Sequence, residues 1–125
     1  MEVIDTSVLI AGGAPTGERA AISVVSLAEL HFGVLIAKDD EARAHRLRRL
    51  ALIEARFPDP LPLNDAVARE WGRLKAAVAQ RGGRPRRRDV DLAIAATANV
   101  HGAALLTRDT KDFEIVADLV ELRAP

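Results

Sequence analysis

Residues 91–113, DLAIAATANVHGAALLTRDTKDF, constrain the fold more than any other stretch. Asp91 opens an alanine-rich apolar run, and Asn99 and Gly102 close it, as residues suited to a helix end do. A short apolar strand over 103–106 follows, and Thr107-Arg108-Asp109 stands directly after it. One carboxylate is thus expected at a helix N-terminus and another just past a strand end. In an open parallel sheet, ligands bind beyond the carboxyl ends of the strands. Two acids brought to that rim by different elements point to a metal or a basic ligand between them.

The remaining elements fit around this unit. Apolar runs at 2–4 and 8–10 flank Asp5-Thr6-Ser7, so a buried, central first strand is expected to end near Asp5. Gly12-Gly13, Pro15 and Gly17 break the pattern. A second strand is expected over 20–25 and a helix from Ser26 to about residue 37. Another helix runs from Asp39 to about residue 56, with Leu47, Leu50, Ile53 and Phe57 at near-helical spacing. Prolines 58, 60 and 62 bracket a brief strand near 61–63. Asn64 or Asp65 caps a helix to about residue 80 that buries Val67, Trp71, Leu74 and Val78, and Gly82-Gly83 stops it. After the helix 89–100 and the strand 103–106, a turn or short helix is expected near 110–113 and an edge strand near 119–122. Strands alternating with helices predict an α/β fold with a mainly parallel sheet covered on both faces.

Composition narrows the function. With 125 residues, 49% of them hydrophobic, the chain is one domain's length and has enough apolar material for a core. No cysteine is present, which excludes disulfides, zinc–thiolate sites and a thiol nucleophile. The start, MEVIDTSV, lacks the pattern of a signal peptide, and no apolar run reaches membrane-spanning length. A cytoplasmic protein without a membrane partner is the expectation. Eighteen basic residues balance eighteen acidic ones, so any nucleic-acid contact must come from local clusters. RGGRPRRR at 81–88 is one such cluster, running straight into Asp89 and Asp91. Arg43, Arg46, Arg48 and Arg49 form another, read as a solvated helix face.

Four acids carry the candidate chemistry: Asp5, Glu29, Asp91 and Asp109. Hard cations such as Mg²⁺ take oxygen ligands, often one or two carboxylates with waters and substrate phosphates. Each acid also has an ordinary explanation. Asp5-Thr6-Ser7 is turn-prone. Ser26-Leu27-Ala28-Glu29 reads equally as a capping box, with Glu29 in the first helical turn. Asp91 competes with Asp89 for the roles of ligand and N-cap, and Asp109 competes with Asp112. Ser7 and Thr107 are auxiliary hydroxyl candidates. His31, His45 and His101 are scattered and have no adjacent catalytic partner.

IDTSVLI at the N-terminus, SVVSLAEL at 23–30, DLAIAATA at 91–98 and ALLTRDTKDF at 104–113 occur in an order that resembles the PIN-domain ribonucleases, and within them the VapC-type toxins of bacterial toxin–antitoxin pairs. The resemblance covers essentially the whole chain, 1–125, as a single PIN domain. It implies a three-layer α/β/α sandwich around a central, mainly parallel sheet. It also implies Mg²⁺- or Mn²⁺-dependent cleavage of RNA, with Asp5, Glu29, Asp91 and Asp109 as metal-site residues and Asp112 as an auxiliary acid. A VapB-type antitoxin and a homodimer are the implied partners. Arg84, Arg86, Arg87 and Arg88 are expected to hold RNA backbone. The stretch between Asp5 and Glu29 is short and glycine-rich for the family, which implies a stunted or missing first helix. The rival readings are a catalytically inactive PIN-fold module that binds RNA or protein, and a phosphotransfer enzyme of another α/β class. The haloacid-dehalogenase type of the latter wants a second aspartate where Ser7 stands.

Overall fold

A computed structural model describes residues 1–12 and 19–125. Gly13, Pro15 and Gly17, expected to break the pattern after the first strand, lie outside the described residues. Four parallel strands form the sheet, in the order β2-β1-β3-β4: β1 (Glu2–Ile4), β2 (Ala20–Ala21), β3 (Ala104–Leu106) and β4 (Leu122–Arg123). The first strand is therefore internal, as its apolar sequence predicts. Val3 and Leu105 are paired in register, as are Ile4 and Leu106. Successive strand residues face opposite sides, so Val3 and Leu105 enter one core and Ile4 and Leu106 the other.

The helices divide accordingly. On one face lie α1 (Thr6–Ala11), α2 (Val24–Leu35) and α3 (Asp40–Arg56), which supply Val8, Leu9, Leu30, Val34, Leu50 and Ile53. On the other lie α4 (Asp65–Gln80) and α5 (Asp89–Val100), joined by the 3₁₀ helix η1 (Pro85–Arg88). A second 3₁₀ helix, η2 (Thr110–Val116), adds Phe113 and Val116 to that core. These are the three α/β/α layers. Residues 92–98 of α5 are all buried, which explains the composition DLAIAATA: only small side chains let a helix pack closely on several sides at once.

Several local expectations are corrected. The second strand stops at Ala21, and Ser23 rather than Ser26 caps α2, its hydroxyl accepting from the Val25 amide at 3.0 Å. Val24 and Val25 read as strand because they are β-branched, but the cap commits them to the helix. Glu29 consequently lies in the second turn and closes no capping box. Of the two alternatives for the first helix, missing is excluded and stunted remains: α1 has six residues, with Asp5 as its N-cap and Gly12 ending it at φ 78°. The strand near 61–63 reduces to a single bridge between Ser23 and Leu61. Leu47 is exposed rather than part of the α3 stripe. Among the described residues, no helix is long and apolar enough to cross a membrane.

Two glycines of the α4 region make opposite predictions. A Cβ on Gly83 would meet Ile115 Cδ1 and Val78 Cγ1 at 2.7 Å and the Val78 carbonyl at 3.2 Å, whereas one on Gly72 meets nothing. Gly83→Ala is expected to destabilise the fold by about 1–3 kcal/mol through overpacking. Gly72→Ala, inside α4, is expected to stabilise it by about 0.5–1 kcal/mol. Urea denaturation of both variants checks the pair.

Candidate metal centre

The carboxyl ends of β1 and β3 lie side by side, and that adjacency builds the site. The Asp5 amide donates to the Leu106 carbonyl at 2.8 Å, so the chain leaves β1 still tied to β3. Ser7 Oγ donates to Asp5 Oδ2 at 2.7 Å and accepts from the Arg108 amide at 3.1 Å. Thr107 Oγ1 donates to the same Oδ2 at 3.1 Å and accepts from the Asp109 amide at 3.1 Å. Both hydroxyls thus spend their proton on one oxygen of one carboxylate.

The other oxygen, Asp5 Oδ1, is buried and has no hydrogen-bond partner. Asp5 is 4% exposed. A buried carboxylate oxygen without a partner is costly and calls for an explanation, such as an ion that belongs there. Glu2, the other buried acid among the described residues, makes the contrast: it faces Arg123 at 3.4 Å.

Two more acids converge on Asp5. Asp91 sits in the first turn of α5, half-buried. Its pKa is pushed up to about 6, first by burial, then by the charges of Asp5 and Glu29, and in smaller part by Asp112; Arg88 works in the opposite direction. Glu29 comes from α2 on the far face, and Thr6 Oγ1 donates to its Oε1 at 2.6 Å while lying 3.0 Å from Ser26 Oγ. Thr6 was not singled out in the sequence. The signal available was its place in the Asp-Thr-Ser triplet, where all three side chains turn out to serve one rim.

Asp112 and Asp109 are placed differently. Asp112, in the first turn of η2, is half-buried and accepts from Arg88 Nη2 at 2.9 Å. Asp109 precedes η2, is exposed, and is not among the carboxylates whose charge raises Asp91. Asp89 pairs with Lys75 at 3.2 Å, and Arg88 rather than Asp89 occupies the N-cap position of α5. Arg88 also approaches Asp91 to 3.8 Å. Arg84, Arg86 and Arg87 are exposed and line an open cleft of about 860 Å³ with Lys75 and Gly83.

The donor set is all oxygen, which suits a hard cation. Among the described residues no group of three or more His, Asp or Glu side chains stands ready to hold a metal ion. Mg²⁺ does not require one, because it usually binds through one or two carboxylates and keeps several waters. The bare Oδ1 of Asp5 and the raised Asp91 beside it fit such an ion.

The parallel four-stranded sheet between two helical layers agrees with the fold that the sequence resemblance implied. The PIN domain family matches residues 3–119, and the chain belongs to that family. Within it, the chain is similar to Ribonuclease VapC5 of Mycobacterium tuberculosis (strain ATCC 25618 / H37Rv), 40% identical over 114 residues that cover 86% of this chain and 82% of the relative. It is also 41% identical to Ribonuclease VapC8 of the same strain over 103 residues, covering 78% and 90%. A crystal structure of VapBC-5 from Mycobacterium tuberculosis, a member of the VapBC family of toxin–antitoxin systems, superposes with a TM-score of 0.81 at 37% identity, covering 98% of this chain and 95% of that one.

The raised Asp91 sets a pH dependence. Its pKa is about 6 in the fold against an ordinary value of 3.8, so between those values the native state binds a proton that the unfolded chain has lost. Its stabilising contribution is therefore complete below the lower value and is lost as pH rises through about 6. In chelator, stability should fall over that window in the wild type more than in Asp91→Asn. The difference should be on the order of 2 kcal/mol, discounted for partial exposure. Chemical denaturation at pH 4.5 and pH 7 measures it.

Proposed function

We propose that this chain is a divalent-cation-dependent endoribonuclease of the VapC kind, kept inactive by a cognate VapB-type antitoxin. The observation that carries the reading is the buried, unpartnered Oδ1 of Asp5 next to an Asp91 whose pKa is driven up to about 6. The names of the relatives support the activity, and the VapBC-5 assembly supports the partner.

In this reading Asp5 and Asp91 hold a Mg²⁺ or Mn²⁺ ion. Asp112 has a stronger claim than Asp109 to the next carboxylate position, because it is half-buried and its charge reaches Asp91. A cation held there would supply the acidity for activating a water and the positive charge to offset the phosphodiester. Ser7 and Thr107 fix the Asp5 carboxylate through Oδ2 and so aim Oδ1 into the site. Thr6 fixes Glu29, which is placed to orient an attacking water or to serve a second ion. With water as the nucleophile, no 2′-hydroxyl is needed for the reaction. Arg84, Arg86 and Arg87 supply exposed cations to the RNA backbone. Phe32, Leu35 and Ile36 are 61%, 76% and 58% exposed near the end of α2, an apolar surface that suits a protein partner, whether antitoxin or second copy.

A second reading, a PIN-fold module that binds RNA or protein without cutting, draws on the absence of a ready-made group of three ligands among the described residues. Incubation of an RNA substrate with Mn²⁺ separates the two readings. Cleavage that disappears in Asp5→Asn and Asp91→Asn supports the nuclease; no cleavage with Mn²⁺ supports the binding module. Millimolar Mn²⁺ should also raise the melting temperature of the wild type and not that of Asp5→Asn, since an ion that binds only the native state stabilises it. Glu29→Gln should lose cleavage while keeping its fold. Of the paired variants, Asp112→Asn is expected to lose cleavage by at least tenfold and Asp109→Asn by less. The reverse order would return the position to Asp109.

A further inference from the structure

Arg88 is the unexpected element of the rim. It ends η1, stands at the N-cap position of α5, and is half-buried. One nitrogen, Nη2, donates to Asp112 Oδ1 at 2.9 Å, and Nη1 lies 3.8 Å from Asp91 Oδ2. Its three neighbours in the basic run, Arg84, Arg86 and Arg87, face an open cleft. Arg84 and Arg87 also line a smaller cleft with Asp112, but among the described residues Arg88 is the one of the four that pairs with these acids. Its charge is also the one that opposes those of Asp5, Glu29 and Asp112 at Asp91.

We infer that the Arg88 guanidinium is the counter-ion of the cation-free site, and that a divalent ion must displace it from Asp112 and Asp91 in order to bind. This rests on the metal-dependent reading above and deepens it. It also removes Arg88 from the expected RNA-binding set in the cation-free state, leaving Arg84, Arg86 and Arg87. The physical argument is one of competition. Clustered carboxylates repel each other and are not all ionised at low cost without a nearby cation. A guanidinium supplies that charge from within the chain, with a planar fork that matches carboxylate oxygens. It cannot reproduce the small, multidentate shell of Mg²⁺ or Mn²⁺. The exchange therefore costs the ion pairs with Arg88, and this cost weakens the observed cation affinity. Arg88 acts on the reaction through the two aspartates, as a positioning residue.

The test is Mn²⁺ binding to the full chain by titration calorimetry, at low ionic strength, with melting curves in chelator to confirm the fold. Arg88→Gln should bind Mn²⁺ about twofold to fivefold more tightly than the wild type, since exposed or half-buried ion pairs are of that size. Arg88→Lys, which keeps the charge but loses the fork, should fall between the two and guards against a folding failure of the first variant. Direct competition further requires coupling: in an Asp112→Asn background, Arg88→Gln should change Mn²⁺ affinity much less. Equal or weaker Mn²⁺ binding by Arg88→Gln overturns the assignment. So does an undiminished gain in the Asp112→Asn background, which would mean only a general effect of net charge. A wild type that binds no Mn²⁺ overturns the metal reading and this one together, whereas Mn²⁺ binding that Arg88 does not influence overturns this one alone.

Discussion

Asp5 is a carboxylate placed where a carboxylate is least comfortable. It is almost wholly buried, one of its oxygens has no partner, and its charge, with that of Glu29, raises the cost of ionising Asp91. Such a position persists only if the surrounding frame holds it. The frame here is the pairing of β1 with β3, the Leu106 carbonyl that receives the Asp5 amide, and two hydroxyls that donate to Oδ2. Each is a short-range contact fixed by a core of Val3, Ile4, Leu105 and Leu106. The hydrophobic layers provide the free energy, and the rim uses part of it to hold like charges together.

The two faces of the sheet contribute unequally to this rim. Glu29 arrives from α2 on one side and Asp91 from α5 on the other, so the acids meet only because both helices pack against the same strand ends. The alanine-rich face of α5 matters for that reason. Residues larger than alanine at 93, 95, 96 or 98 would push the helix outward and carry Asp91 with it. A conservative-looking change in the core would then act on the acidic rim without touching it.

Much of this was legible in the sequence. The bounds of α5, the Asn64 cap of α4 and the Asp39 cap of α3 follow from residues whose local chemistry agrees with their packing. The internal place of β1 and the delivery of acids to one rim also follow from pattern. The errors lie where two local signals compete. Ser23 and Ser26 both offer a cap, and the choice was made by burial: Ser26 is 0% exposed inside α2, near Thr6. The six residues of α1 are too few to show a helical period, so Asp-Thr-Ser read as a turn. The partners of Asp89 and Arg88 were not legible, because Lys75 and Asp112 are distant in sequence and only the fold brings them close. Asp109 and Asp112 differ by three residues, and only the turn into η2 decides which one faces inward.

The staple between Asp5 and Thr107 joins the first strand to a segment 102 residues later. A chain emerging from the ribosome therefore carries its first acid long before the hydroxyl that orients it, and α5 and η2 come last as well. At about 5–20 residues per second, the gap between the two ends of the staple is roughly 5–20 s of synthesis. During that interval the nascent polypeptide has no assembled rim. The segment that carries α2, with its exposed Phe32, Leu35 and Ile36, is translated before α5 and η2. The order of the elements along the chain thus makes the acidic rim one of the last features to be completed, because its parts come from both ends of the sequence.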